Sequence, residues 1–243
     1  MSAPPDHNTR AVAARIIGEW LRHGHFPDRM LRPDQPEHAF VMDLVYGTVR
    51  HRRALDWIVS QTARKPPPDT VRPLLLVGLQ QVFFADDVAE HAAVHETVEA
   101  ARVLQLSFAT GFLNAVLRRC TREREALRAR LRQKPLALRT SHPDALVKRW
   151  VHRFGRPAAE SLCDWNNSIP GVCLRPHTLR CSLDDLRRAL DERGIRSAPH
   201  PARPGEFLEL AHGWRVRDVP GYEEGWFTVQ DPSTAAAVDL LQL

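Results

Sequence analysis

Apolar residues recur at helical spacing through the first half of the chain. Ala13, Ile16, Ile17, Trp20 and Leu21 fall on one face of a helix that Thr9 can cap. Phe40, Val41, Leu44 and Val45 mark a second helix, and Leu55, Ile58 and Val59 continue the pattern. The run Lys65-Pro66-Pro67-Pro68 must break it, because proline lacks the N–H a helix needs and forces its predecessor into extended geometry. Asp69 or Thr70 then caps a helix with Pro73 in its first turn. Leu74, Leu75, Val77, Gly78, Leu79, Val82 and Phe83 make that helix apolar on nearly every side, which places it at the centre of a bundle. Two more helices are expected around His95–Leu104 and Ser107–Cys120, and an arginine-rich, solvated helix runs to about Arg132. Residues 1–134 therefore read as an all-helical domain of six or seven helices.

After Pro135 the pattern changes. Helical stretches at Pro143–Phe154 and Pro157–Asn166 lead into an extended segment, Val172–Pro176. Ser182, with Asp185 three residues on, has the form of a capping box for a helix through Arg193, and Gly194 is a natural stop. Phe207–Leu210 and Trp226–Val229 read as strands. The fold class expected is mainly α, a helical domain followed by a smaller α+β domain over residues 140–230.

Composition agrees with a soluble globular protein, at 43% hydrophobic and 26% charged residues. The aliphatic run Leu74–Val77 is far too short to span a bilayer, and no apolar segment follows the N-terminus, so no membrane partner and a cytoplasmic location are expected. Cys120, Cys163, Cys173 and Cys181 show no C-x-x-C spacing and read as free thiols of a reducing compartment. The net charge of +5 is unevenly placed: residues 1–135 hold 20 Lys+Arg against 15 Asp+Glu, and residues 136–243 hold 14 of each. Arginine so localised suits a polyanion, because guanidinium forks match phosphate oxygens and stack on bases.

Signals for catalysis are sparse. The 12 glycines form neither G-x-G-x-x-G nor a G-K-[ST] loop. His91 and His95 stand at i, i+4 with Glu96 following, but this is not H-E-x-x-H, so they read as packing or capping residues and no metal is expected. No cysteine has an obvious activating base beside it. Arg50, Arg52 and Arg53 crowd a helix junction, and Arg118 and Arg119 end another helix. Two readings stay open for them: favourable placement at helix C-termini, or contact with RNA. Asn166 and Asn167, ahead of Ile169-Pro170, are either C-cap residues or readers of base and ribose edges.

Longer motifs add a resemblance. Leu44–Trp57 (LVYGTVRHRRALDW), Pro73–Phe84 (PLLLVGLQQVFF), His91–Arg102 (HAAVHETVEAAR) and Phe112–Arg119 (FLNAVLRR) resemble the NusB-like domain at the N-terminus of the RsmB family, bacterial enzymes that make 5-methylcytosine in small-subunit ribosomal RNA. Ser141–Gly155, Trp165–Thr178 and Pro220–Leu241 are similar to the segments that precede that family's catalytic domain. The resemblance implies that residues 231–243 begin a methyltransferase domain whose S-adenosylmethionine loop and two catalytic cysteines are not in this sequence. It therefore implies a chain that binds small-subunit ribosomal RNA without catalysing, with no catalytic, cofactor or metal residue of its own. Lys148, Asn166, Asn167 and Arg175 would contact RNA from the second part, alongside Arg50, Arg52, Arg53, Arg118 and Arg119 from the first. A NusB-like antitermination adaptor is the alternative. A monomer is expected, with Val229, Ala236, Val238, Leu240, Leu241 and Leu243 as a poorly held apolar segment through which copies would associate.

Overall fold

The computed structural model describes residues 8–85, 88–211 and 214–241, and the chain divides into two compact units between Asn167 and Ser168. The first unit contains α1 (Thr9–His23), α2 (His38–Arg50), α3 (Arg52–Thr62), α4 (Arg72–Phe84), α5 (Glu90–Val103), α6 (Thr110–Arg122), α7 (Arg124–Arg132), α8 (Leu136–Arg139), α9 (Asp144–Phe154) and α10 (Arg156–Asn167). Helix α4 is the hub. Every residue from Pro73 to Phe83 is buried, and α1, α2, α5 and α6 all pack on it. A helix with no polar face has no orientation that satisfies it at a surface, so the sequence pattern and the central position are one fact. Gly78 marks a close approach: a Cβ there would lie 2.9 Å from Thr97 Cγ2 and 3.1 Å from Leu117 Cδ2.

The helix starts differ in detail from the sequence expectation. Asn8, not Thr9, caps α1, its side chain accepting from the Ala11 N–H at 3.0 Å, while Thr9 is already helical and buried. Neither Asp69 nor Thr70 caps α4; Val71 holds that position without a side-chain bond, and the Pro68 carbonyl accepts from both Val71 and Arg72 at 2.9 Å. Helix α5 begins at Glu90, ahead of the expected start, and Ser107–Ala109 is a 3-10 turn preceding α6. Helix α7 is amphipathic rather than simply solvated, with Leu127 and Leu131 buried.

The second unit contains β1 (Val172–Pro176), α11 (Leu183–Glu192), β2 (Ser197–Pro199), β3 (Leu208–Leu210), β4 (Phe227–Val229) and α12 (Ala235–Leu240). Ser182 caps α11 as its sequence promised: its hydroxyl accepts from the Asp185 N–H at 3.1 Å and donates to Asp185 Oδ2 at 2.6 Å. Leu186 and Leu190 of α11 are buried in one cluster with Leu174, Ile195, Leu208, Leu210 and Phe227. The strands form an antiparallel sheet in the order β2-β3-β1-β4. Strand, helix, two strands, a 3-10 turn at Val216–Asp218 and a last strand reproduce the split β-α-β plan, with the turn where a second helix would stand. Val229, Val238, Leu240 and Leu241 are exposed, and of α12 only Ala235 is buried; Leu243 lies outside the described residues. Among the described residues no helix is long and apolar enough to cross a membrane.

Candidate nucleic-acid interface

Arg50 closes α2, His51 joins the two helices, and Arg52 and Arg53 occupy the first turn of α3. A helix N-terminus repels cations, so the C-terminal explanation for arginine serves Arg50 and fails for Arg52 and Arg53. The fold compensates both. The Arg52 guanidinium lies 3.4 Å from Asp56 and 5.4 Å from the Trp20 ring centre, and Arg72 shares Asp56 at 2.8 Å. Arg53 donates to the His142 carbonyl and, at 2.7 Å, to Asp144 Oδ2. The Ala54 N–H, an orphan donor of the same turn, is accepted by Ser141 Oγ at 3.0 Å, so a residue 87 positions away caps α3.

The same loop holds the end of α10. Asn167 Nδ2 donates to the Thr140 carbonyl at 2.9 Å. His142 Nδ1 sits 2.8 Å from that carbonyl, which only accepts, so Nδ1 carries the proton and Nε2 faces the Asn166 amide at 3.5 Å. Arg53, Asn166 and Asn167 are thus brought together on the Thr140–Asp144 loop, with Asn166 exposed. His51 stacks on Phe84 with ring centres 3.9 Å apart. Burial, then the nearby charges of Arg50 and His142, push its pKa down to about 4, so it is neutral near pH 7.

The other expected contacts lie elsewhere. Arg118 is exposed, donates to Asn114 at 2.9 Å, and lines a cavity of about 340 Å³ with His91 and His95. Among the described residues no three His, Cys, Asp or Glu side chains gather as a metal site. Arg119 is committed to Glu123 at 2.9 Å and to the Thr62 carbonyl at 3.1 Å. Lys148 is exposed on α9. In the second unit, Arg175 pairs with Glu206 at 3.7 Å and lines a cleft of about 560 Å³ with His177, Arg180, Thr228 and Gln230. All four cysteines are buried, and burial raises every thiol pKa, that of Cys120 to about 11; they stay protonated and inert. Sequence reasoning missed Ser141 as a cap and Trp57 as a cation-bearing ring. Neither role has a local signal, because both partners come from distant segments.

Residues 7–122 match the NusB family, and residues 142–216 match the ferredoxin-like domain of the RsmF/B-like methyltransferases. The chain is 37% identical over 238 residues to ribosomal RNA small subunit methyltransferase B of Pseudomonas putida, covering 96% of this chain and 53% of that protein. It is 33% identical to the Serratia proteamaculans protein of the same name, over 97% of this chain and 56% of that one. The crystal structure of PH0851 superposes with a TM-score of 0.63 at 15% identity, over 99% of this chain and 56% of that chain, which shows a shared fold. The class is therefore a NusB-type helical domain followed by a methyltransferase-associated ferredoxin-like domain. The chain carries both of these domains and over nearly its whole length is similar to ribosomal RNA small subunit methyltransferase B proteins. It spans about half the length of the relatives it matches.

Proposed function

We propose that this chain is the RNA-binding, N-terminal part of a small-subunit ribosomal RNA cytosine-C5 methyltransferase, acting in the cytoplasm. The observation that carries the reading is the meeting of Arg53, from the part of the chain that holds all the excess positive charge, with Asn166 and Asn167 on the Thr140–Asp144 loop. Arg50, Arg52, Arg118 and Lys148 contact phosphate. Asn166 reads a base or ribose edge, while Arg53, Arg119 and Asn167 hold the backbone on which these side chains stand. Arg175 contributes from the second unit. Enzymes that modify a base must extract it from the stack, so affinity and register have to come from surfaces such as these. The matched ferredoxin-like domain weighs against a free-standing antitermination adaptor.

The methyl donor of the whole family is S-adenosylmethionine, whose sulfonium is positive. The 560 Å³ cleft is lined by Arg175, His177 and Arg180 without a carboxylate, so it does not fit that group, and no step of transfer is assigned to these residues. The exposed Val238, Leu240 and Leu241 support a contact role for α12, toward a second copy of an otherwise monomeric chain.

The test is fluorescence anisotropy with a small-subunit ribosomal hairpin across a salt series. With about three to five phosphates neutralised, log affinity falls linearly with log salt, at about 0.7–0.9 per contact. Arg50→Ala and Lys148→Ala each make the slope shallower by about one contact, and Asn166→Ala shifts preference among RNAs at unchanged slope. Binding insensitive to salt refutes the reading.

A further inference from the structure

Of the cations around the start of α3, Arg53 is paired with Asp144 and Arg52 shares Asp56 with Arg72, while Arg119 is paired with Glu123. The opposite end of α3 differs. There the Trp57 ring carries two cations, Arg130 at 5.7 Å and Lys134 at 5.5 Å from its centre, and Arg130 also donates to Gln61, one turn on from Trp57. Neither Arg130 nor Lys134, nor the exposed Arg64 and Lys65 just past the helix, makes an ion pair among the described residues. Two like charges held this close repel each other, and the aromatic face attracts both. The ring thus holds together two positive side chains whose mutual repulsion an anion between them would relieve. From Gln61 the chain continues into Thr62, Arg64 and Lys65, which with Phe112, Ala115, Val116 and Arg119 line a groove of about 540 Å³.

We propose that this end of α3 is a second RNA-contact surface, specific for a single strand. Arg130 and Lys134 on Trp57 take backbone phosphates, and the groove between Lys65 and Phe112 takes an unstacked base. Apolar walls with a cationic rim suit a base joined to its phosphate, as in single-strand binding sites. A duplex keeps its bases inside and reaches only the rim. The inference rests on the RNA-binding reading above and locates a surface that reading does not include.

The experiment uses the full 243-residue chain with a labelled single-stranded RNA and a fully paired duplex of equal length. Arg130→Gln with Lys134→Gln spares every buried residue. Losing two single-strand contacts at about 0.7 each makes the salt slope shallower by about 1.4, which corresponds to about 25-fold weaker binding at 0.1 M salt. Trp57→Phe keeps the packing but weakens the hold on both cations, and it reduces single-strand affinity in the same direction. Unchanged affinity and slope for the double variant, while the parent chain binds RNA, overturn this surface and leave the RNA reading standing. An equal loss on the duplex overturns the single-strand assignment. No binding of either RNA by the parent chain refutes the RNA reading itself.

Discussion

Replacing Arg53 should uncouple α3 from the loop that carries the asparagines. The guanidinium makes two bonds of different worth. Its ion pair with Asp144 is open to water, Asp144 being 61% exposed, and exposed pairs contribute about 0.2–1 kcal/mol. Its bond to the His142 carbonyl is part-buried and has a charged donor, a class contributing about 1.5–3 kcal/mol. Arg53→Ala therefore destabilises the first unit by about 2 kcal/mol, and Asp144→Ala by about 0.5 kcal/mol. Arg53→Lys, with one point charge instead of a fork, falls between them. In a unit of this size the alanine variant lowers Tm by about 4–8 °C, readable by thermal circular dichroism. Amide exchange at Ser141 and at Asn167 should rise in Arg53→Ala and hardly change in Asp144→Ala. Equal destabilisation by Arg53→Ala and Asp144→Ala would show that only the surface ion pair matters, and the carbonyl anchor would be refuted.

Two further outcomes follow from packing. The pKa of His51 is about 4 in the folded chain and near 6.5 when unfolded, so the unfolded state binds the extra proton between those values and stability is lost as pH is lowered through that window. Wild type should lose about 2 kcal/mol more than His51→Gln between pH 7 and pH 5, measured by urea denaturation at each pH; parallel pH profiles would refute a buried, neutral His51. Gly78→Val drives side-chain atoms into Thr97 and Leu117 and should cost about 2–3 kcal/mol, whereas Gly111→Ala, with open space around it, should be neutral or stabilising by up to about 1 kcal/mol. Similar urea midpoints for the two variants would contradict the close approach of α4 to its neighbours.

Much of the architecture is legible in the residues alone, for a local reason. Helix α4 announces its central position because Leu74 to Phe83 are apolar on nearly every side, and the Ser182 cap is visible because its bond closes within three residues. Short elements escape: α8 has four residues and β2 three, too few to show a period. Thr9 and Asn8 are both competent caps side by side, and only the backbone path into α1 chooses Asn8. The candidate site divides the same way. Arginine clustering and the asparagine pair can be seen in the chain. Which cations are neutralised and which stack depends on Asp144 meeting Arg53 across 91 positions, and on Arg130 of α7 and Lys134 just beyond it meeting Trp57. Periodicity, and a cap that closes within one turn such as Ser182, are properties of neighbours along the chain, so the sequence determines them. Ion pairing and cation stacking are properties of neighbours in space, and those neighbours exist only once the helices have packed.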